Sequence, residues 1–470
     1  MRILIVGDYP GFSGGVTNYT RPMAEELAKN NEVFYLYNNS RLGKYIIGGL
    51  RINKLKSDHK FLIYELLNGK GLEKNYDQLL TDVNHWFDHK FVEIIKESRP
   101  EVIHINEIFG FSSNIIAVAK KFNIKVVVTV HEYWWLCPHR VMVDFNRKIC
   151  EGPNDMQKCS FCIYQKLKSY NSKYLKFRYI LKNHFFLFYK ILQFIKRSVR
   201  NRSEIPRLDD LAFLSTPYQN YKNIRLENHL KIRLEKNIEA LNICDKIICV
   251  SEDVKKTLIR YGVAPDRLLI QYIGSTIADQ LIVHTKKLDK KNIIFGFIGG
   301  IGYYKGVHQL VEAFTMMPYT YKQNAFLKLY GKYDENYFCT MRETLLKKEA
   351  YSEHVMFFGR YSQNDIEEIT NSIDIMVLPS ICADTAPQTI FESFSCQVPI
   401  IAPKIGGFPD FIKDDINGLL YNSGSVESLK DKLIYIIDNP DKIKAYRDQI
   451  PKLKSISQNS EELVDLFKSL

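Results

Sequence analysis

Short aliphatic runs recur along the chain, and most are followed by a glycine or polar turn and then by a stretch with helical spacing. The runs at 3–6, 33–36, 102–105, 125–130, 246–250, 268–272, 327–330, 354–358, 375–378 and 398–402 are largely apolar and of strand length, as strands buried on both faces are. Segments between them, such as the one carrying Met23, Leu27 and Ala28, have the spacing of crossover helices. Alternating strands and helices predict α/β architecture with parallel sheets covered on both faces. At 470 residues the chain exceeds the ~250–300 that one hydrophobic core organises, so two doubly wound, Rossmann-like domains are expected. The polar stretch 284–292 is the best linker, giving an N-terminal domain at 1–285 and a C-terminal domain at 286–455. A helix from about 461 to 470 ends the segment 456–470, which is positioned to cross back to the first domain.

Composition narrows the setting. Charged residues make up 25% and hydrophobic residues 46%, as in a soluble globular protein. The apolar run after Met1-Arg2 is only four residues long, so no signal peptide is expected, and no run approaches the ~18 residues of a membrane span. Nine cysteines, an odd number in a long chain, point to a reducing compartment, with cytoplasm the default. The net charge of +12 is concentrated: residues 164–207 hold twelve Lys or Arg against the single acid Glu204. That disposition favours a basic patch on one side over an evenly charged nucleic-acid binder, and no nucleic-acid partner is expected. The stretch 166–200, within an insertion at 164–235, mixes aromatics and aliphatics with regularly spaced lysines. An amphipathic helix on an anionic membrane surface fits it best, and a helix packed on the domain is the alternative.

Candidate chemistry sits where strands end. The first strand runs into a loop with Gly14 and Gly15, which is neither Gly-x-Gly-x-x-Gly nor a Walker sequence. A second opening of the same kind, residues 293–314, places Gly299-Gly300 after its strand and Lys305 at the start of the next helix. In the stretch 375–420, Asp384 and Glu392 stand eight apart with a helix between them that Pro387 can begin. Its first N–H groups, from Gln388 and Thr389 onward, favour an anion at the carboxyl end of the strand. Gly406-Gly407 then allows a close backbone approach. His131 follows the strand 125–130 at what is the ligand edge of an open sheet, where it either reaches substrate or is satisfied by nearby backbone. Cys137, Cys150, Cys159 and Cys162, the last two a C-x-x-C pair, are spaced to surround a structural Zn²⁺, with free thiols, an iron–sulfur cluster or a redox pair as alternatives.

Asp384, seven residues, Glu392 and then Gly406-Gly407-Phe408-Pro409-Asp410 resembles the donor-binding segment of the retaining family 4 glycosyltransferases of the GT-B fold (glycosyl transferases group 1). That family's pattern has Glu at 384 and at 410; both shorten here to Asp. The Gly14-Gly15 loop and Thr129-Val130-His131-Glu132 are similar to family motifs as well, and a subset carries a Cys-rich insertion after the His. Two departures stand out: Gly300 replaces an Arg that partners the Lys at 305, and Ile273-Gly274-Ser275 replaces Pro-Asn-Gly. The resemblance implies two domains facing across a cleft and a nucleotide-diphosphate hexose donor. It implies transfer with retention to a glycan or lipid-linked acceptor, in cell-surface polysaccharide synthesis at the inner face of the cytoplasmic membrane. It further implies that no metal or cofactor is required for catalysis. Glu392 is expected on the ribose, Lys305 on the diphosphate, Asp384 by the sugar or the phosphate, His131 by the sugar, Arg360 and Tyr361 by the base, and Gly14, Gly15, Gly300, Gln388 and Thr389 around the donor. A sugar-nucleotide epimerase and a non-catalytic nucleotide-sugar binder are the alternatives.

Overall fold

The computed structural model describes residues 1–11, 14–38, 51–55, 61–67, 85–170, 219, 221–279, 288–289, 291–333, 337–339, 341 and 353–470. Most of the basic aromatic stretch, 171–200, and most of the linker 284–292 lie outside the described residues. The chain forms two compact units: Met1–Ile247 with Tyr261–Arg267 and Leu470, and Ile248–Arg260 with Leu268–Ser469.

Two sheets carry the fold. The first has eight strands, β1 (Arg2–Gly7), β2 (Glu32–Asn38), β3 (Arg51–Leu55), β4 (Leu62–Leu67), β5 (Val102–Ile105), β6 (Lys125–Val130), β7 (Lys246–Cys249) and β8 (Leu268–Ile270), in the order β3-β4-β2-β1-β5-β6-β7-β8. The pairs β1–β2, β1–β5, β2–β4 and β5–β6 are parallel, and β3 runs antiparallel to β4 at the edge. The second has six, β9 (Ile293–Ile298), β10 (Ala325–Tyr330), β11 (Val355–Gly359), β12 (Ile375–Val377), β13 (Ile400–Pro403) and β14 (Gly418–Tyr421), in the order β11-β10-β9-β12-β13-β14, all parallel. Both sheets are Rossmann-like, as the sequence pattern predicts.

Ile3 through Val6 are inaccessible to solvent, because helices cover both faces of a parallel sheet. The edge pair β3–β4 is not foreseen by the pattern, since Arg51, Asn53 and Lys54 break the apolar run on β3. In each sheet the order reverses beside that sheet's first strand. β1 lies between β2 and β5, and β9 between β10 and β12. At such a switch point the loops leave the sheet in opposite directions and open a crevice.

The terminal helix spans Ile456–Ser469, starting earlier than the apolar spacing predicts. A capping box sets its start: Gln458 N–H donates to Ser455 Oγ at 3.0 Å, and Ser455 N–H donates to Gln458 Oε1 at 3.1 Å. The helix is fastened to the segment after β8. Ser275 N–H donates to Lys454 O at 3.0 Å and Gln271 Nε2 to Glu462 Oε2 at 3.1 Å. Gly274, where the family sequence has a different tripeptide, lets this happen, because a Cβ there would lie 2.3 Å from Ser455 O. Gly274→Ala is expected to cost about 1–3 kcal/mol by overpacking and to free the terminal helix first. Chemical denaturation with limited proteolysis at the C-terminus reads both, and an unchanged midpoint would contradict the assigned contact.

Candidate functional site

The second unit builds its site from the loops after β9 and β12. After β9 the chain passes Gly299, Gly300 and a single turn at Tyr303–Lys305, and then Gly306 adopts φ +67° and caps the helix Val307–Met316. A Cβ on Gly306 would come 1.8 Å from Pro379 O in the loop after β12, so the two backbones touch there and only glycine fits. Further bonds hold the loops together: Ile381 N–H donates to Tyr304 O at 3.1 Å, and Ser380 Oγ to the same carbonyl at 3.3 Å. This seam brings Lys305 Nζ to 2.9 Å from Asp384 Oδ2, which also accepts from Ser380 Oγ at 2.8 Å. Enclosure tends to lower the Lys305 pKa, but the Asp384 carboxylate outweighs it and raises it. The Lys305 side chain is 42% exposed, so solvent screens the pair and a ligand can compete for it. Beside them, burial and Asp384 push the Cys382 thiol up to about 12, leaving it neutral.

Gly406 and Gly407 have a role the sequence does not show. A Cβ on Gly406 would meet Asp384 O at 2.5 Å and one on Gly407 would meet Thr385 O at 2.0 Å, while Gly407 N–H donates to Asp384 O at 2.8 Å. The pair therefore clamps the Asp384 backbone. Asp410, which the resemblance groups with the donor segment, accepts from Glu252 N–H at 2.7 Å and so caps the helix Glu252–Arg260.

Pro387 stands just before the helix Gln388–Ser395 as its cap, rather than inside the first turn. Glu392 is one turn in, and its Oε2 is buried with no hydrogen-bond partner. Burial pushes the carboxyl up to about 7. A buried acceptor without a donor suits a ligand hydroxyl pair, since a carboxylate accepts two hydrogen bonds at once. Tyr361 is close enough for Glu392 to add to the rise in its pKa, after desolvation, whereas Arg360 is exposed. Thr389 faces Gly299, with its methyl 3.9 Å from where a Cβ would stand, and the space around Gly300 is open.

In the first unit the helix Gly15–Leu27 starts directly after Gly14, and neither Gly14 nor Gly15 has an atom within 4 Å of its Cβ position. His131 follows β6, with Nε2 3.0 Å from Asn106 Oδ1 and its ring 5.1 Å from that of Tyr19. Burial lowers its pKa to about 3, so the ring is neutral and weakly basic. A group not anticipated from sequence lies beside this strand end. Arg140, at φ +69°, pairs with Glu132 at 3.1 Å and Glu107 at 3.4 Å and stacks over Phe109 at 4.3 Å. Its partners come from separate loops, and no local spacing announces them.

The zinc expectation is not supported. Cys137, Cys150, Cys159 and Cys162 line one cavity of about 30 Å³. Among the described residues, however, no three His, Cys, Asp or Glu side chains are arranged to hold a metal. Two of the thiols engage separate backbone groups. Cys150 Sγ lies 3.5 Å from Gly152 O, and Cys162 Sγ accepts from Phe145 N–H at 3.1 Å. Burial pushes the Cys162 thiol up to about 12 and raises that of Cys159 as well.

Residues 280–453 match the family of glycosyl transferases group 1, and residues 13–151 match Glycosyltransferase Family 4. Two segments of the chain are thus similar to glycosyltransferase families. An uncharacterized glycosyltransferase of Methanocaldococcus jannaschii is 27% identical over 215 residues, which is 46% of this chain and 55% of that protein. N-acetyl-alpha-D-glucosaminyl L-malate synthase of Bacillus anthracis is 23% identical over 212 residues, 45% of this chain and 47% of the relative. The chain thus spans about half the length of these curated relatives. The crystal structure of Anabaena HepE in complex with UDP superposes with a TM-score of 0.63 at 13% identity, covering 100% of both chains. That likeness shows a shared fold of two Rossmann-like domains.

Two measurements probe the electrostatics. Glu392 binds its proton up to about pH 7 when folded against an ordinary 4.5, so the folded state holds more protons between these values and stability falls as pH rises through them. Glu392→Gln is therefore expected to raise the melting temperature of the ligand-free protein at pH 8 and to lose that advantage near pH 4.5. An equal difference at both pH values would contradict the assignment. For His131, NMR is expected to show no imidazole titration above about pH 5, because burial holds the ring neutral.

Proposed function

We propose that the chain is a retaining glycosyltransferase that moves a hexose-type sugar from a nucleotide diphosphate to a glycan or lipid-linked acceptor, in cell-surface polysaccharide synthesis. The observation that carries the reading is the unpartnered Oε2 of Glu392, on the helix that follows the loop holding the Lys305–Asp384 pair at the switch point of the second sheet. In this reading Glu392 takes the ribose hydroxyls, and the first N–H groups at Gln388 and Thr389, with Lys305, face the diphosphate. Asp384 and His131 contact the sugar, Arg360 lies by the base, and Gly14, Gly15 and Gly300 leave room for phosphates and acceptor. HepE, which shares the fold, has UDP in its crystal structure, which supports a nucleotide donor here.

The reaction breaks the bond from the anomeric carbon to the phosphate oxygen, and the electron pair leaves with the diphosphate. The acceptor oxygen forms the new bond on the same face, and its proton passes to the departing phosphate oxygen. Lys305 stabilises the charge as it develops on that oxygen. A neutral His131 with its pKa lowered to about 3 is a poor base, so it orients the sugar and does not abstract the acceptor proton.

The reading places the protein on the inner face of the cytoplasmic membrane. The basic aromatic stretch 166–200 supports that site of action. Among the described residues no helix is long and apolar enough to cross a membrane.

Binding of UDP-, GDP- and ADP-sugars to the wild-type chain and to Glu392→Ala tests the central assignment. At least a tenfold loss of affinity is expected at about pH 8, where two hydrogen bonds to a charged acceptor disappear (about 1.5–3 kcal/mol each). Unchanged affinity would remove Glu392 from the site, and an epimer formed from donor alone would favour an epimerase.

A further inference from the structure

A diphosphate diester carries a negative charge on each phosphate, and the site described above supplies little to meet them. Lys305 is already opposed by Asp384, Glu392 adds negative charge once ionised, and position 300 is a glycine. Within this unit, the strand ends of the same sheet are where a further cation can be sought. Three exposed candidates follow strands: Lys332 after β10, Arg360 after β11 and Lys404 after β13.

Geometry separates them. β10 is the direct neighbour of β9, whereas β11 is one strand further out and β13 lies two strands away on the other side. Adjacent strands are about 4.8 Å apart, so Arg360 and Lys404 begin roughly 10 Å from the β9 line. The pairing of β9 with β10 also continues past both strands. Gly299 N–H donates to Tyr330 O at 3.1 Å, Ile301 N–H donates to Lys332 O at 2.8 Å, and Ile301 bridges to Tyr333. A Cβ on Gly331 would come 1.7 Å from Gly299 O, so the two backbones are in direct contact there. Lys332 is thereby held alongside Gly300, where the space is open. Lys332 is exposed and makes no ion pair or hydrogen bond through its ammonium to any described residue. Its four-carbon stem lets that charge swing across to the neighbouring loop.

We propose that Lys332 is a diphosphate-binding residue, supplying from β10 the second cation that position 300 on β9 does not. The assignment rests on the proposed donor site and deepens it. It makes Lys305 and Lys332 a pair that brackets the phosphates from two loops. Lys305 is pre-positioned by Asp384, and Lys332 has no partner for its ammonium among the described residues.

The test is calorimetric titration of the full chain with UDP, GDP and ADP, followed by the tightest of the three on variants. Lys332→Ala is expected to weaken binding by about tenfold or more, the scale of one charge-assisted hydrogen bond. Adding Gly300→Arg to that variant is expected to restore most of the affinity, because a side chain at 300 meets no atom within 4 Å of its Cβ and returns a cation to the same place. A merely structural Lys332 would not be rescued in this way. Unchanged affinity in Lys332→Ala, or a loss that Gly300→Arg leaves unrepaired, overturns the assignment. If the folded wild-type chain binds none of the three nucleotides, the donor-site reading fails, and the role of Lys332 falls with it.

Discussion

The close approach of Gly306 to the Pro379 carbonyl is the constraint on which the second unit's site depends. Two loops from adjacent strands meet there backbone to backbone, and everything polar nearby is arranged by that seam. Lys305 precedes Gly306 directly, and Ser380 and Asp384 follow Pro379 within five residues, so fixing one point fixes the ion pair. The glycine pair 406–407 secures the same loop from the other side, through the Asp384 and Thr385 carbonyls. Held at both ends, the acid side chain keeps its place without the entropy cost of ordering a free loop on binding.

Much of this was legible in the sequence. The strands read clearly because burial on both faces leaves unbroken aliphatic runs, and the switch-point loops could be located once the strands were in order. Asp384, Glu392 and Lys305 were found by spacing and by resemblance. What the sequence could not convey was which partner each group faces. Ser380 looks like any serine after a strand, and Arg140 like any surface cation, until the fold brings Asp384 to the one and Glu107 and Glu132 to the other. Asp410 fits a ligand-binding pattern yet spends its carboxylate on a helix end. Cysteine spacing permitted a metal, but spacing along a chain does not set the direction of a thiol, and here Cys150 and Cys162 turn to backbone groups.

The charge states show how the two units divide their chemistry. Burial keeps His131 and Cys382 neutral, so neither competes as an ion with a charged ligand. Glu392 is the exception, with a carboxyl poised near neutrality and an oxygen that has no partner within the protein. Such a group destabilises the empty fold and is relieved when a donor arrives, which converts part of the folding cost into binding selectivity.

The glycine seam also governs how this protein tolerates change. Gly306, Gly331, Gly406 and Gly407 abut carbonyl oxygens of neighbouring loops, and their close approaches are to protein backbone. Substituting any of them would displace a loop of the candidate site. The positions at which a side chain cannot be added are therefore set by the packing of main chain against main chain.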